Sequence, residues 1–172
     1  MSRGTAILGL GSLVLTLLGV CHAKAEQHVW AGAHAAARMA GIEVIRNQER
    51  WVEVWGNLLN SAPPRTLPDG HVGVLIALGP RRTGGYAVEI TAHGQLACVD
   101  VVGFAERRPE PNAYVTQAFT MPWLIAIVPG GARPIVLEKH EADGGKRLII
   151  PTEEASRLAQ MGEACSAQLR QR

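Results

Sequence analysis

The sequence has few of the features that mark an enzyme. None of its serines sits in a G-x-S-x-G turn, which removes the usual strand-to-helix serine nucleophile. Its six histidines are scattered, with no H-x-H and no H-E-x-x-H, so the common zinc-hydrolase spacings are missing. The stretch Gly79-Pro80-Arg81-Arg82-Thr83-Gly84 has the glycine spacing of a phosphate loop, but Gly85-Tyr86 follows where Lys-Ser/Thr is needed. It also runs into a strand rather than a helix, so no helix N-terminus would face a phosphate. Internal repeats are absent, and the only biased stretch is an alanine-rich segment near the start. No metal site and no cofactor is expected.

Cysteine is scarce, with three residues in 172. A strong charge excess is also missing. Ala6–Val20 is the longest apolar run and is shorter than the ~20 residues of a spanning helix. With Arg3 before it and Ala23-Lys24-Ala25 after it, the segment reads as a secretory signal cleaved after Ala25. Cys21 would be the lipidated residue of a lipoprotein, but the bulky, branched Val20 before it argues against that alternative. Without residues 1–25, Lys+Arg falls from 17 to 15 and equals Asp+Glu at 15, leaving a neutral chain of 147 residues. That is enough for one domain with its own core. Neutrality removes the electrostatic footprint of a nucleic-acid binder. The mature chain is expected to be periplasmic or secreted, with no integral membrane span.

Residues 26–41 read as a mobile or lightly docked leader and residues 42–172 as a single domain. Ile42–Arg46 has strand character. Asn47 is placed as the N-cap of a helix whose apolar residues Trp51, Val54, Trp55, Leu58 and Leu59 recur at i, i+3, i+4, i+7 and i+8. After a proline-bearing loop, Val72–Leu78 is apolar on both faces and reads as a central strand. Tyr86, Val88 and Ile90 then alternate with Ala87 and Glu89, the pattern of a half-buried strand, and are expected to pair with Val72–Leu78 as a hairpin. Ala92-His93-Gly94-Gln95 reads as a turn, Leu96–Phe104 as the next strand, Tyr114–Val128 as renewed sheet with a bulge or edge at Pro122, and Ile135–Lys139 as a final strand, with Leu148–Ile150 a possible short addition. A last helix starts at Pro151-Thr152-Glu153-Glu154, with Thr152 as cap. The expected fold is α+β: mainly an antiparallel meander or sandwich, with one helix before the sheet and one C-terminal helix.

Cys98 on a strand and Cys165 on the apolar face of the last helix have no histidine partner that would make either a nucleophile. Two buried thiols are one reading. The export signal favours the other, a disulfide joining strand to helix, worth on the order of 3–4 kcal/mol by chain entropy. Asp100 is the one acid inside an apolar strand and is expected at an edge or in solvent. With His93 it offers the only handle for a hydrolase, the most distant of the functional readings.

Two features read as recognition surface. Pro80–Gly85 is longer than a hairpin needs and carries Arg81-Arg82. Glu106–Asn112 repeats the theme, with Arg107-Arg108 stiffened by Pro109 and Pro111. Rigid loops lose little entropy on docking, and guanidinium pairs carboxylates bidentately. Arg81, Arg82, Tyr86 and Trp123 are expected near one patch that meets a protein partner, with Trp123 as aromatic anchor if it is exposed.

The order Glu49-Arg50-Trp51…Trp55, Val74–Leu78, Gly79-Pro80-Arg81-Arg82-Thr83-Gly84-Gly85-Tyr86-Ala87-Val88-Glu89-Ile90 and Val115-Thr116-Gln117-Ala118-Phe119-Thr120-Met121-Pro122-Trp123 resembles the C-terminal domain of the protease complex subunit PrcB family. The resemblance runs over 42–139. It departs at Pro68-Asp69-Gly70-His71, where the family usually shows Asp-Phe. It implies an exported, non-catalytic accessory subunit of a protease or envelope complex and supplies no catalytic residues. Arg81, Arg82, Thr83, Gly84, Gly85, Tyr86 and Trp123 form the candidate binding set. A looser resemblance, to chagasin-type inhibitors of cysteine proteases, rests on Thr83-Gly84-Gly85-Tyr86 and Met121-Pro122-Trp123, with Met121 in place of arginine, and implies a protease inhibitor as the alternative.

Overall fold

The structure, a computed structural model, describes residues 28–36, 40–96 and 98–170. The expected signal, its cleavage point and Cys21 lie outside the described residues.

Two four-stranded sheets face each other. The first has the order β1-β6-β3-β2 and is antiparallel throughout: β1 (His28–Gly32), β2 (Ala40–Ile45), β3 (His71–Leu78) and β6 (Trp123–Pro129). The second has the order β4-β5-β7-β8: β4 (Ala87–Leu96), β5 (Val99–Arg107), β7 (Ile135–His140) and β8 (Lys146–Ile149). Val74, Ile76, Leu124 and Ala126 of the first sheet meet Val88, Val102, Phe104 and Leu137 of the second between the layers. Alternate residues point outward, and helices cover both outer faces. Trp51, Val54, Trp55 and Leu58 of α1 (Gln48–Leu59) pack on Leu75, Ile125 and Ile127. Leu158 of α2 (Thr152–Gln160) and Cys165 and Leu169 of α3 (Glu163–Arg170) pack on Val99 and Val136. The α+β class holds. The continuous apolar runs of β3 and β6 follow from burial on both faces.

The Asn47 cap is as expected: its Oδ1 accepts the Arg50 N–H at 2.8 Å. Other expectations change. The supposed leader enters the first sheet, because His28–Gly32 pairs with β6 and sends Trp30 into the α1 cluster. β3 does not form a hairpin with the strand after it. Residues 79–86 cross to the other sheet, and β3 pairs with β2 and β6 instead. Ala92–Gln95 is strand, not turn, paired with β5 after a register shift between Ile90 and Ala92. Only Trp123–Pro129 of the expected 114–128 sheet is strand. β5 and β7 run parallel, because the chain passes through the first sheet as β6 between them and returns in its original direction. The last helix breaks at Gly162, whose φ is +84°, a conformation that favours glycine. Its N-cap is Pro151, which supplies no side-chain bond, rather than Thr152. Asp100 is 6% exposed, not at an edge: β5 has a neighbour on each side.

Candidate binding end

Two of the three crossings between the sheets lie at one end of the sandwich; the third, 130–134, joins β6 to β7. The first, 79–86, leaves β3 and enters β4. The second, 108–122, leaves β5 and enters β6. Backbone bonds stitch them together. Leu78 N–H donates to Pro122 O (3.0 Å), Arg81 and Thr120 exchange bonds in both directions (2.8 and 2.9 Å), and Gly84 N–H donates to Thr116 O (2.8 Å). The Thr120 hydroxyl donates to Thr83 O at 2.8 Å. The two loops form one preorganised unit, so docking a partner need not order them.

Gly85 is essential to this contact. Its φ is +85°, and a Cβ there would lie 2.8 Å from Pro109 Cβ and 3.0 Å from Val115 Cγ1. Arg81 is committed to the same framework. Its Nε lies 3.1 Å from Glu106 Oε1, its Nη1 donates to Leu78 O at 2.8 Å, and its guanidinium carbon is 5.7 Å from the Tyr86 ring centre. Thr83, Gly84 and Tyr86 are half-buried beside it, whereas Arg82 is exposed. The first loop therefore divides into a structural arginine and a free one.

Trp123 separates from the rest of the expected set. It is 7% exposed and belongs to the cluster on the far side of the first sheet, beneath α1. Its indole N–H donates to His34 O at 2.8 Å, and its ring stands edge-on to Trp55 at 6.3 Å. It is a core residue and offers no exposed anchor. The alternation of β6 explains this, since Leu124 turns to the space between the sheets and Trp123 to the helix.

The exposed aromatics of this end are Tyr114, fully in solvent, and Phe119, 74% exposed. Sequence reading placed both in a sheet and missed them. The signal was present in Pro109, Pro111 and Asn112, whose density argues for a loop extending past 113. Arg107 and Arg108 are exposed close by: Arg107 reaches Glu89 at 3.2 Å, and Arg108 lies 3.8 Å from Glu106. Exposed Tyr, Phe and Arg on a rigid loop match the residue types that dominate the binding energy of protein interfaces.

The remaining polar chemistry lies elsewhere. Asp100 points between the sheets, and its Oδ1 has no hydrogen-bond partner among the described residues. On the second sheet, Thr91 Oγ1 lies 3.1 Å from His140 Nδ1, and His140 Nε2 lies 2.8 Å from Glu138 Oε1. Lys146 Nζ also reaches Glu138 Oε1, at 2.9 Å. The Lys146 ammonium, then the His140 imidazole, hold the Glu138 carboxyl below the usual carboxylate range against the opposing effect of burial. Among the described residues no group of three His, Cys, Asp or Glu side chains is arranged to hold a metal ion, and no helix is long and apolar enough to cross a membrane.

Residues 73–129 match the family model described as PrcB C-terminal. The chain carries a PrcB C-terminal domain. The match runs from β3 through β6, so it contains the two stitched crossings, 79–86 and 108–122. No curated protein and no solved structure matches the chain. Cys98 and Cys165 form a disulfide with Cα atoms 5.8 Å apart, tying the start of β5 to α3.

Proposed function

We propose that this protein is an exported, non-catalytic binding module that assembles with a protein partner, and that the partner belongs to a protease complex. The PrcB C-terminal domain supports the class of partner. The observation that carries the reading is the pair of exposed aromatics, Tyr114 and Phe119, on a loop that Gly85, Thr116 and Thr120 hold rigid. A disulfide suits an oxidising compartment, which fits export to the periplasm or medium. Binding would be centred on Tyr114 and Phe119, with Arg82, Arg107 and Arg108 at the rim pairing carboxylates of the partner. Arg81 and Gly85 would hold the loops in place.

The alternative, inhibition of a protease by insertion of the two loops into its cleft, draws on their direct backbone pairing at Arg81 and Thr120. It loses support at Trp123, which a cleft-filling loop would need exposed.

Crosslinking in the native envelope, followed by identification and assay of the bound protein, tests the reading. Recovery of an active protease complex is the expected result. Recovery of a protease silenced in proportion to this protein would favour inhibition, and absence of any specific partner would contradict both.

A further inference from the structure

The hydrogen-bond pattern of the second sheet leaves the outer edge of β4 unpaired among the described residues. Asp100 N–H donates to Pro134 O at 2.9 Å, so the backbone groups of Asp100 face β7. Gln95 lies opposite Asp100 across the β4–β5 pair. Opposed residues in an antiparallel ladder either exchange both bonds or both point away. Gln95 therefore turns its N–H and C=O outward, and so does His93, two residues earlier and opposite Val102. Among the described residues nothing pairs with them.

Exposed edges of this kind are normally blunted by charge, shortness or cover. The other three edges follow that rule. β1 is five residues long, and β8 is four with Lys146 and Arg147 in it. On β2, the Val44 N–H is taken by the Glu153 carboxylate of α2. β4 is ten residues long, and its exposed stretch Thr91-Ala92-His93-Gly94-Gln95 contains no lysine, arginine, acid or proline.

Beside this edge, on the outer face of the sheet, lies a trough of about 180 Å³ lined by Ala92, Gly94, Val101, Gly103 and Glu138. A Cβ on Gly94 would meet nothing within 4 Å, so packing within the chain does not require glycine there. A glycine inside a strand with open space above it marks a place where another chain can approach.

We infer that β4 accepts an extended segment of a partner protein as a fifth strand of the second sheet, with a large apolar or aromatic side chain of that segment lying over Gly94. This rests on the reading of the chain as a protein-binding module. A second copy fits less well. Antiparallel self-pairing through His93 and Gln95 puts only Ala92, Gly94 or Leu96 of the copy opposite Gly94. The first two leave the trough empty, and the third centres the pair on Gln95, next to the strand end.

The test uses the protein as isolated from its cells and a synthetic peptide, Lys-Thr-Val-Thr-Phe-Thr-Val-Lys, as a generic strand. At saturating peptide, amide exchange at His93 and Gln95 is expected to slow at least about tenfold. Gln95→Pro removes an outward N–H without breaking a β4–β5 bond, and Gly94→Val fills the trough. Each should abolish the slowing while circular dichroism stays native. Replacing the phenylalanine of the peptide with glycine should weaken binding about tenfold. A folded wild-type protein with no slowing at these two amides overturns the inference. So does slowing that needs no peptide and follows formation of a dimer in sedimentation. Full capture of the envelope partner by Gln95→Pro overturns the edge assignment and leaves the loop-end reading standing. Loss of capture by Tyr114→Ala/Phe119→Ala, with the peptide still protecting β4, supports two separate surfaces.

Discussion

At the scale of single residues, the molecule spends its unusual side chains on holding loops and layers together. Gly85 combines a left-handed backbone with contacts that leave no room for a methyl group. Gly85→Ala is expected to cost about 2–4 kcal/mol, from the backbone and from overpacking against Pro109 and Val115, read as a lower denaturant midpoint. Glu138 titrates with a sign that follows from its partners. Its folded-state carboxyl is held below the ordinary range, so the stability it contributes is complete above the unfolded pKa, near 4.3, and is lost as pH falls through the folded value. Stability of the Glu138→Gln variant should therefore change less with pH below about 4.5 than that of the wild type. Equal acid slopes in the two proteins would show that the Lys146 and His140 contacts carry no linkage. Arg81 was legible in the sequence as half of an arginine pair. Its engagement with Glu106, a residue 25 positions away, was not, because a one-dimensional pattern does not reveal which of two adjacent cations faces inward.

At the scale of elements, α2 is the clamp of the sandwich. Glu153 and Glu154 look like ordinary acids of a helix start. Glu154 is instead fully buried, with Arg46 Nε at 2.6 Å and Nη2 at 2.8 Å and the Ile135 N–H at 2.9 Å. It ties the end of β2 in one sheet to the start of β7 in the other. Glu154→Ala leaves Arg46 largely buried without its carboxylate, and about 3–5 kcal/mol should be lost, measured by urea unfolding. The helix α1 with its Asn47 cap was readable from periodicity and capping, and the apolar run of β3 from its composition; the last helix was readable as a helix, but neither its cap nor its break at Gly162 was. The pairing was not. The gap 79–86 between β3 and β4 looks the same whether the chain turns back as a hairpin or steps across to a second sheet. Here the alternation of β4 and the apolar run of β3 are equally compatible with both arrangements. The β4 extension through Ala92–Gln95 was hidden because Gly94 resembles a turn residue. The disulfide was legible as a choice, since the expected export signal and the helix face of Cys165 both pointed to it. Thiol titration of the unfolded, unreduced protein should find no free thiol from Cys98 or Cys165. Reduction should cost ~4 kcal/mol for a separation of 67 residues, and two free thiols before reduction would contradict the pairing.

At the scale of the whole molecule, each sheet is shielded by a helix on its outer face, so the layers leave the loop end and the β4 edge as the open features. The PrcB C-terminal match covers the strands that build the loop end. In the proposed reading, Tyr114 and Phe119 on this end make the contact with the partner. Both are exposed, so replacing them with alanine should move stability by no more than ~0.5 kcal/mol each. The most direct measurement is the affinity of folded Tyr114→Ala/Phe119→Ala for the partner recovered by envelope crosslinking, set beside the wild type under the same salt. A loss of at least about 2 kcal/mol, roughly thirtyfold, is expected. Unchanged affinity in the folded double variant would contradict it.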